Sequence, residues 1–295
     1  TIPLEGHYRE GSLFSCQNTE QSSVQISPRW KTVFSPETDG AFPALGLFNQ
    51  EGNKLSGTFL TETGDYRYLA GNVVGEKIFL SCFDGSHAFL FTATLKDGEL
   101  NGKFFSGKHY QTTWIATADD NYELTDPDEL TYLVNDEPLA FSFNDLKGEP
   151  FSYPSKAYKD KVTIIQVMGS WCPNCMDETR YYLELYDKYH DQGLEIILIG
   201  YEAGQNEEEY AFKLKRLQER YKVPFTMLVG GAANKNEASK DFSMLNSIIS
   251  FPTSIFIDKE GKIVKIHTGF NGPGTGKYYE DYTLETQSFL ESLLR

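Results

Sequence analysis

The sequence predicts a two-domain α+β protein, with an all-β antiparallel barrel or sandwich over residues 1–135 and an α/β domain over residues 136–295. Three observations lead to this prediction. The chain has 295 residues, which is long for a single domain. Glycines interrupt the first half at regular intervals, and the second half alternates apolar runs with amphipathic segments.

The first half has the pattern of short strands joined by tight turns. Segments rich in Phe, Leu, Val, Thr and Tyr alternate imperfectly in polarity, as in Lys77–Leu80 and Ala88–Thr92. Glycine allows the positive φ that hairpin turns need, so regularly spaced glycines predict antiparallel hairpins of a barrel or a sandwich. Glycine stands beside a polar residue about every ten residues, in EGN, TGD, VGE, DGS, KDGE and SGK.

The second half follows an acidic stretch, residues 119–138, whose two prolines predict a linker or domain edge. Continuous apolar runs then predict strands buried on both faces, and a 3.6-residue period predicts helices between them. The predicted order is β–α–β–α–β–β–α. The elements are expected at 161–169, 175–193, 194–201, 206–223, 224–231, 251–269 (a hairpin turning at Glu260–Gly261) and 278–294.

The composition excludes several classes of partner. The formal net charge is −15, from 27 Lys and Arg against 42 Asp and Glu. No cationic block offers counterion release, so we expect no nucleic-acid partner. No apolar run reaches about eighteen residues, so no membrane-spanning segment is predicted. The chain begins at Thr1 without a methionine, so a removed signal segment and a truncated sequence both stay open.

Cys172 and Cys175 are separated by two residues, between a predicted buried strand and a predicted helix. Three interpretations fit this spacing. A zinc site would need two more Cys or His ligands, and Cys16 and Cys82 lie far away in the other half. A structural disulfide would close only a tiny loop and stabilise the fold little. A reversible dithiol–disulfide couple fits the strand-to-helix position, and we favour it.

The start of a helix suits such a couple. Unpaired N–H groups and the helix dipole favour the thiolate of Cys172, which is the reacting form of the thiol. Pro173 fits the first helical turn because its missing N–H costs nothing there, and Trp171 would cover the site. Cys172 would attack a partner disulfide, and Cys175, one turn further along, would resolve the mixed disulfide.

The motif WCPNC after an apolar strand, followed by FPT (251–253) before SIFIDKEGKIV, resembles the thioredoxin superfamily over residues 139–295. More narrowly, it is similar to the TlpA/ResA-like, AhpC/TSA-related thiol–disulfide oxidoreductases of bacterial envelopes. The resemblance implies a thioredoxin-like fold, a cis peptide bond before Pro252, protein disulfide or dithiol partners, and no cofactor. It implies a periplasmic or cell-envelope location, with a tether through a segment beyond this sequence left open. It also implies a partner groove shaped by Trp171, Pro173, Phe251, Pro252 and Thr253.

The same family branch carries a glutamate three residues after the second cysteine, which corresponds to Glu178. Thioredoxins place a buried Asp on the preceding strand, where this chain has Gln166. A desolvated Glu178 with a raised pKa would accept the Cys175 proton; a solvated helix carboxylate beside Asp177 is the alternative. The Pro-Asn dipeptide departs from the Gly-Pro of thioredoxins and leaves the redox direction open, although the resemblance favours a reductase.

The sequence therefore predicts a thiol–disulfide oxidoreductase with Cys172, Cys175 and Glu178 as its catalytic residues. Two alternatives stay open: a peroxiredoxin-like thiol peroxidase, although GSWC lacks the Thr of T-x-x-C, and a binding module whose β domain captures a ligand or partner. Cys16 and Cys82 are either a disulfide or buried thiols. His267, close to a Gly-rich loop, is a candidate for substrate contact.

Overall fold

The computed structural model describes Ser22, residues 24–135 and residues 137–295, which form two compact units. The first unit comprises the described residues up to Phe59 together with Tyr66–Glu123, and the second comprises Leu60–Asp65 and Leu124–Arg295. The sequence prediction places the boundary later, at residue 135. The segment before 135 belongs to the second unit because its backbone bonds to that unit; the Val134 N–H, for example, donates to the Met244 carbonyl at 2.8 Å.

The first unit is an antiparallel barrel. The strands of its sheet are β1 (Arg29–Phe34), β2 (Phe42–Glu51), β3 (Lys54–Thr61), β4 (Gly64–Asp65), β5 (Leu69–Val74), β6 (Lys77–Phe83), β7 (Ala88–Lys96), β8 (Glu99–Ser106) and β9 (Tyr110–Ala118). Their order is β2–β1–β9–β8–β7–β6–β5–β3–β4, and β2 also pairs with β3, so the sheet closes on itself. Closure between sequence neighbours is the topology of an up-and-down barrel, so the predicted barrel is confirmed over the sandwich. Within this sheet, Leu60 and Thr61 of β3 and both residues of β4 are assigned to the second unit.

Side-chain alternation fills the barrel interior with apolar and aromatic residues. In β6, Ile78 and Leu80 are fully buried while Lys77 is exposed, as a two-residue period requires. The predicted glycine breaks fall at turns between consecutive strands. Phe91 and Phe104 stack with their ring centroids 4.4 Å apart. The buried aromatic residues include Trp30, Phe34, Phe59, Phe91, Phe104 and Trp114.

Removing the central ring of this core should destabilise the barrel strongly. Phe91 is 0% exposed, so Phe91→Ala is expected to lower the free energy of unfolding by about 3–5 kcal/mol, through lost burial and a residual cavity. Urea unfolding followed by the fluorescence of Trp30 and Trp114, in a Trp171→Phe background, would measure it. The matched control is Phe83→Ala, whose ring is 63% exposed and should cost about 0.5 kcal/mol or less. Equal losses would contradict the prediction.

The second unit contains a mixed sheet of the strands β10 (Phe141–Asp145), β11 (Pro150–Tyr153), β12 (Val162–Met168), β13 (Leu194–Glu202), β14 (Thr226–Ala232), β15 (Thr253–Ile257) and β16 (Ile263–Thr268). Their order is β11–β10–β14–β13–β12–β15–β16. β12, β13 and β14 are parallel, whereas β15 runs antiparallel to β12. The predicted α/β domain is confirmed, including the hairpin whose turn contains Gly261.

The helices of this unit are α1 (Pro127–Leu130), α2 (Pro173–Tyr189), α3 (Glu207–Tyr221), α4 (Lys235–Asp241) and α5 (Lys277–Leu294). The sequence prediction missed α1, α4 and the β10–β11 hairpin. All three are short, and α1 lies inside the stretch predicted as a linker. Within the described ranges, no helix is both long enough and apolar enough to cross a bilayer.

β12 positions the rest of the site. Every residue of β12 is buried, as its continuous apolar run predicts. β12 lies between β13 and β15, and Val167 near its end is opposite Thr253 at the start of β15. The chain runs from β12 into the CxxC motif, and FPT leads into β15. The antiparallel register therefore brings two motifs together that are far apart in the sequence.

Candidate active site

The two cysteines lie at the junction of β12 and α2. Cys172 is the N-cap of α2, and its Sγ accepts a hydrogen bond from the Cys175 N–H at 3.2 Å. Pro173 occupies the first helical position, where no intrahelical partner for an N–H is lost. Cys172 is 7% exposed and Cys175 is 0% exposed. The outer cysteine therefore stands at the start of the helix with a small exposed fraction, whereas the inner cysteine is fully enclosed.

Burial separates the chemistry of the two thiols. Loss of solvation raises the pKa of Cys175 well above its ordinary value, and the neighbouring Cys172 raises it further. The inner thiol therefore keeps its proton at neutral pH unless a nearby group removes it. For Cys175 to react as a thiolate, an ionisable side chain close to it must accept its proton.

The FPT segment lies directly against the outer cysteine. The Cys172 thiol donates to the Phe251 carbonyl, with Sγ and O 3.4 Å apart. The Phe251–Pro252 peptide bond is cis, the geometry that the family resemblance implies. Thr253 is fully buried, and its hydroxyl donates to the Ser250 carbonyl at 2.9 Å. The CxxC motif and the FPT segment are therefore in contact at Cys172 in the second unit.

Trp171 forms a wall beside the outer cysteine. Its ring is 42% exposed, and its Nε1–H donates to the Tyr201 carbonyl at 2.9 Å. The ring meets Phe251 edge to face, with centroids 6.0 Å apart, and Phe251 in turn stacks on Tyr201. A large aromatic surface with a fixed orientation therefore remains open to solvent next to Cys172, as expected of a recognition surface.

Glu178 is buried on α2, one turn beyond Cys175. It is 0% exposed, so the alternative of a solvated helix carboxylate is wrong. Burial raises the pKa of Glu178 to about 8, and hydrogen bonds from Gln166, Ser254 and Tyr182 limit the rise. Near neutral pH the carboxyl group can therefore both hold and release a proton.

The hydrogen bonds around Glu178 fix its two oxygens separately. The Gln166 Nε2–H donates to Oε2 at 2.7 Å, and Gln166 also reaches the Cys175 carbonyl at 3.3 Å. The Ser254 hydroxyl donates to Oε1 at 3.0 Å, and the Tyr182 hydroxyl lies 3.2 Å from the same oxygen. Gln166, at the position where thioredoxins carry an Asp, thus connects the backbone of the CxxC helix to the carboxyl group.

Sequence reasoning missed Ser254 and Tyr182, although a signal existed for each. Tyr182 stands four residues after Glu178, so both occupy one face of α2. Ser254 is directly opposite Gln166 in the antiparallel pairing of β12 with β15. Helical spacing alone would have suggested Tyr182, whereas Ser254 requires the register of the sheet.

His267 lies on a strand, as the sequence predicts, and its ring contacts an acidic side chain. It lies on β16, is 7% exposed, and its Nδ1 is 2.7 Å from the Asp128 Oδ1 of α1. Lys265 reaches the other Asp128 oxygen at 2.7 Å. Burial raises the pKa of Asp128, but hydrogen bonds from His267 and Lys265 outweigh burial and lower it. These contacts join α1 to β16, and a substrate contact of His267 stays a prediction. Cys16, the other half of the proposed pair with Cys82, lies outside the described residues.

This mixed sheet, with its CxxC at the start of a helix and its cis-proline segment alongside, defines an oxidoreductase of the thioredoxin superfamily. The sequence model of the Redoxin family matches residues 133–282, about half of the chain. The chain belongs to the Redoxin family, within its TlpA/ResA-like branch.

Two named oxidoreductases and one solved structure are each similar to about half of the chain. The thiol-disulfide oxidoreductase ResA of Halalkalibacterium halodurans is 30% identical over 136 residues, which cover 46% of this chain and 69% of the relative. The ResA of Bacillus thuringiensis subsp. konkukian is 28% identical over 149 residues, or 50% and 76% of the two chains. Among solved structures, a thiol:disulfide interchange protein from Chlorobium tepidum TLS matches with 19% identity over 55% of this chain and 100% of its own, at a TM-score of 0.39.

Proposed function

We propose that the chain is a thiol–disulfide reductase of the cell envelope that acts on protein disulfides through Cys172 and Cys175. One observation carries the proposal. The outer sulfur caps a helix, contacts the carbonyl that precedes the cis-proline, and has a buried second thiol one turn behind it. An inert pair of cysteines needs none of these features. The curated relatives bear the name thiol-disulfide oxidoreductase, which supports the same activity.

The proposed exchange has two steps. The Cys172 thiolate attacks one sulfur of a partner disulfide; a mixed disulfide forms and the other partner sulfur leaves as a thiolate. Cys175 then loses its proton to Glu178 and attacks the Cys172 sulfur, which releases the second partner thiolate. The partner gains two electrons, and the chain is left with a Cys172–Cys175 disulfide. A second thiol protein must supply two electrons to restore the dithiol, so no organic cofactor is required.

The partner would lie in a groove formed by both motifs. The exposed face of Trp171 and the ring of Phe251 offer apolar contacts to residues that flank the partner disulfide. Pro252 and Thr253 are buried and would shape the floor of the groove rather than contact the partner directly, and Pro173 shapes the start of the helix. We place the protein in the cell envelope because of its similarity to the TlpA/ResA-like branch.

The inner cysteine provides the direct test. With Cys175→Ser, the mixed disulfide cannot be resolved, so a stable adduct should accumulate when the variant is mixed with oxidised insulin or oxidised glutathione. Mass spectrometry under non-reducing conditions would locate the adduct on Cys172. The wild-type chain should instead yield its own intramolecular disulfide and reduced partner.

The matched control is the double variant Cys172→Ser/Cys175→Ser, which should trap nothing. An adduct on another residue, or no adduct at all, would disprove the proposal. Rapid consumption of hydrogen peroxide that survives Cys175→Ser and is lost with Cys172→Ser would instead establish the thiol peroxidase.

A further inference from the structure

A short hairpin from early in the sequence belongs to the unit that carries the cysteines. Leu60–Asp65 is assigned to the second unit, and within it Leu60 pairs with Asp65 across the β3–β4 turn. From the sequence, this segment is predicted only to form a turn. Its contacts within the second unit concentrate on the loops around the CxxC motif.

Asp65 binds the second of the two residues between the cysteines. The Asn174 side-chain amide donates to the Phe270 carbonyl at 3.0 Å and lies 3.3 Å from the Asp65 Oδ2. The same carboxylate oxygen accepts the Gly272 N–H at 2.7 Å. Asp65 is only 9% exposed, so these charge-assisted contacts are largely shielded from water.

Gly64 and Thr63 of the hairpin also contact the loops around the CxxC motif. A Cβ on Gly64 would lie 2.4 Å from the Asn174 Nδ2, so the approach requires glycine. The Ser250 hydroxyl, next to the FPT segment, donates to the Thr63 carbonyl at 3.0 Å. The hairpin therefore contacts the CxxC turn, the cis-proline loop and the loop after β16.

This arrangement explains the asparagine between the cysteines, which departs from the thioredoxin pattern. A proline or an apolar residue at 174 could not donate to Asp65 or to the Phe270 carbonyl. Asn174 sits in the first turn of α2, beside the N-cap sulfur, where partial positive charge accumulates. A carboxylate held there competes with the Cys172 thiolate for the same helix N-terminus.

We infer that Asp65 is a positioning residue of the redox couple: its carboxylate, which accepts a hydrogen bond from Asn174, shifts the dithiol–disulfide equilibrium of Cys172 and Cys175. The inference rests on the proposed function. The Asp65 charge disfavours the thiolate and so favours the disulfide form, and the amide of Asn174 moderates that effect by donating to the carboxylate. A chain with this negative charge is a stronger reductant than the same chain without it.

The test is the equilibrium constant for dithiol plus oxidised glutathione giving disulfide plus two reduced glutathione. Asp65→Asn keeps the size of the side chain and removes its charge. We expect the constant to move about threefold towards the dithiol, since helix-terminus charges contribute about 0.3–1 kcal/mol; threefold corresponds to about 14 mV for a two-electron couple. The matched control is Glu62→Gln, which removes a charge from the same hairpin at a carboxylate bonded to Thr125 instead; no shift is expected.

The variant Asn174→Leu provides a second, independent test, because its expected shift has the opposite direction. This variant removes the donor and leaves the carboxylate in place, so the equilibrium should move towards the disulfide, opposite to Asp65→Asn. It also serves if Asp65→Asn does not fold. In the Asn174→Leu background, Asp65→Asn should produce a larger shift towards the dithiol than in the wild type, because the amide no longer moderates the charge that is removed.

A purely structural role for Asp65 would lower the midpoint of thermal unfolding and leave the glutathione equilibrium unchanged. Equal shifts for Asp65→Asn and Glu62→Gln, shifts of one sign for Asp65→Asn and Asn174→Leu, or additive effects in the double variant would each overturn the inference. If the wild-type chain did not equilibrate with glutathione at all, the proposed function itself would fail, which separates the two results.

Discussion

Replacing Cys172 with serine is expected to lower the rate of disulfide exchange at least about 1,000-fold, to the uncatalysed background. A serine hydroxyl does not ionise near neutral pH, so it cannot supply the anionic nucleophile that attacks a disulfide. The geometry leaves no substitute, because Cys175 is 0% exposed and its thiol has a raised pKa. Insulin reduction by the purified chain, with reduced glutathione as electron donor, would measure the loss.

Cys82→Ser is the matched control for this experiment. Cys82 lies on β6 in the first unit, and the same sulfur-to-oxygen change there should leave the rate within about twofold of wild type. Exchange that persists without Cys172 would show that another group performs the chemistry. Exchange that is lost with Cys82→Ser would show that the two-cysteine mechanism is incomplete.

The sequence predicted the parts of this molecule that depend on local order. Glycine spacing indicated the barrel turns, and a continuous apolar run followed by CPNC indicated β12 and the N-cap cysteine. Pro252 and Phe251 could be placed beside Cys172 only through the family resemblance. The structure gives the physical reason, since β15 pairs antiparallel with β12.

The parts that were missed depend on long-range pairing. Asp65 and Asn174 are 109 residues apart, and no period or motif in either stretch indicates that they meet. Ser254 reaches Glu178 only because the register of two strands places it opposite Gln166. The division into units was shifted for a similar reason: the acidic stretch looks like a linker, yet Asp128 within it pairs with Lys265 and His267 of β16.

Glu178→Gln is expected to slow the resolution step about 100-fold between pH 6 and 8, within the usual range for loss of a general base. In the wild type, the rate should rise with pH up to about 8, where half of the Glu178 carboxyl groups are ionised and can accept the Cys175 proton. The glutamine cannot accept a proton, so this part of the pH profile should disappear. Single-turnover release of the second partner thiol would follow the step directly.

The same substitution should change the pH dependence of stability. Burial raises the folded-state pKa of Glu178 from 4.5 to about 8, so the folded chain binds one more proton than the unfolded chain between these values. This contribution to the free energy of unfolding is fully present below pH 4.5 and is lost as pH rises through 8. It amounts to as much as about 5 kcal/mol for a shift of this size. Glu178→Gln should therefore gain stability relative to wild type between pH 5 and pH 8 in urea unfolding.

Glu184→Gln is the matched control, because Glu184 is an exposed carboxylate on the same helix. It should leave both the resolution rate and the slope of stability against pH unchanged. If Glu178→Gln altered stability as expected and left the rate profile intact, the carboxyl group would be a buried structural acid, and Cys175 would lose its proton to another acceptor. If it altered neither, the hydrogen bonds from Gln166, Ser254 and Tyr182 would offset the effect of burial on the pKa of Glu178. The carboxylate would then stay ionised across this pH range, and the predicted rise in its pKa would be wrong.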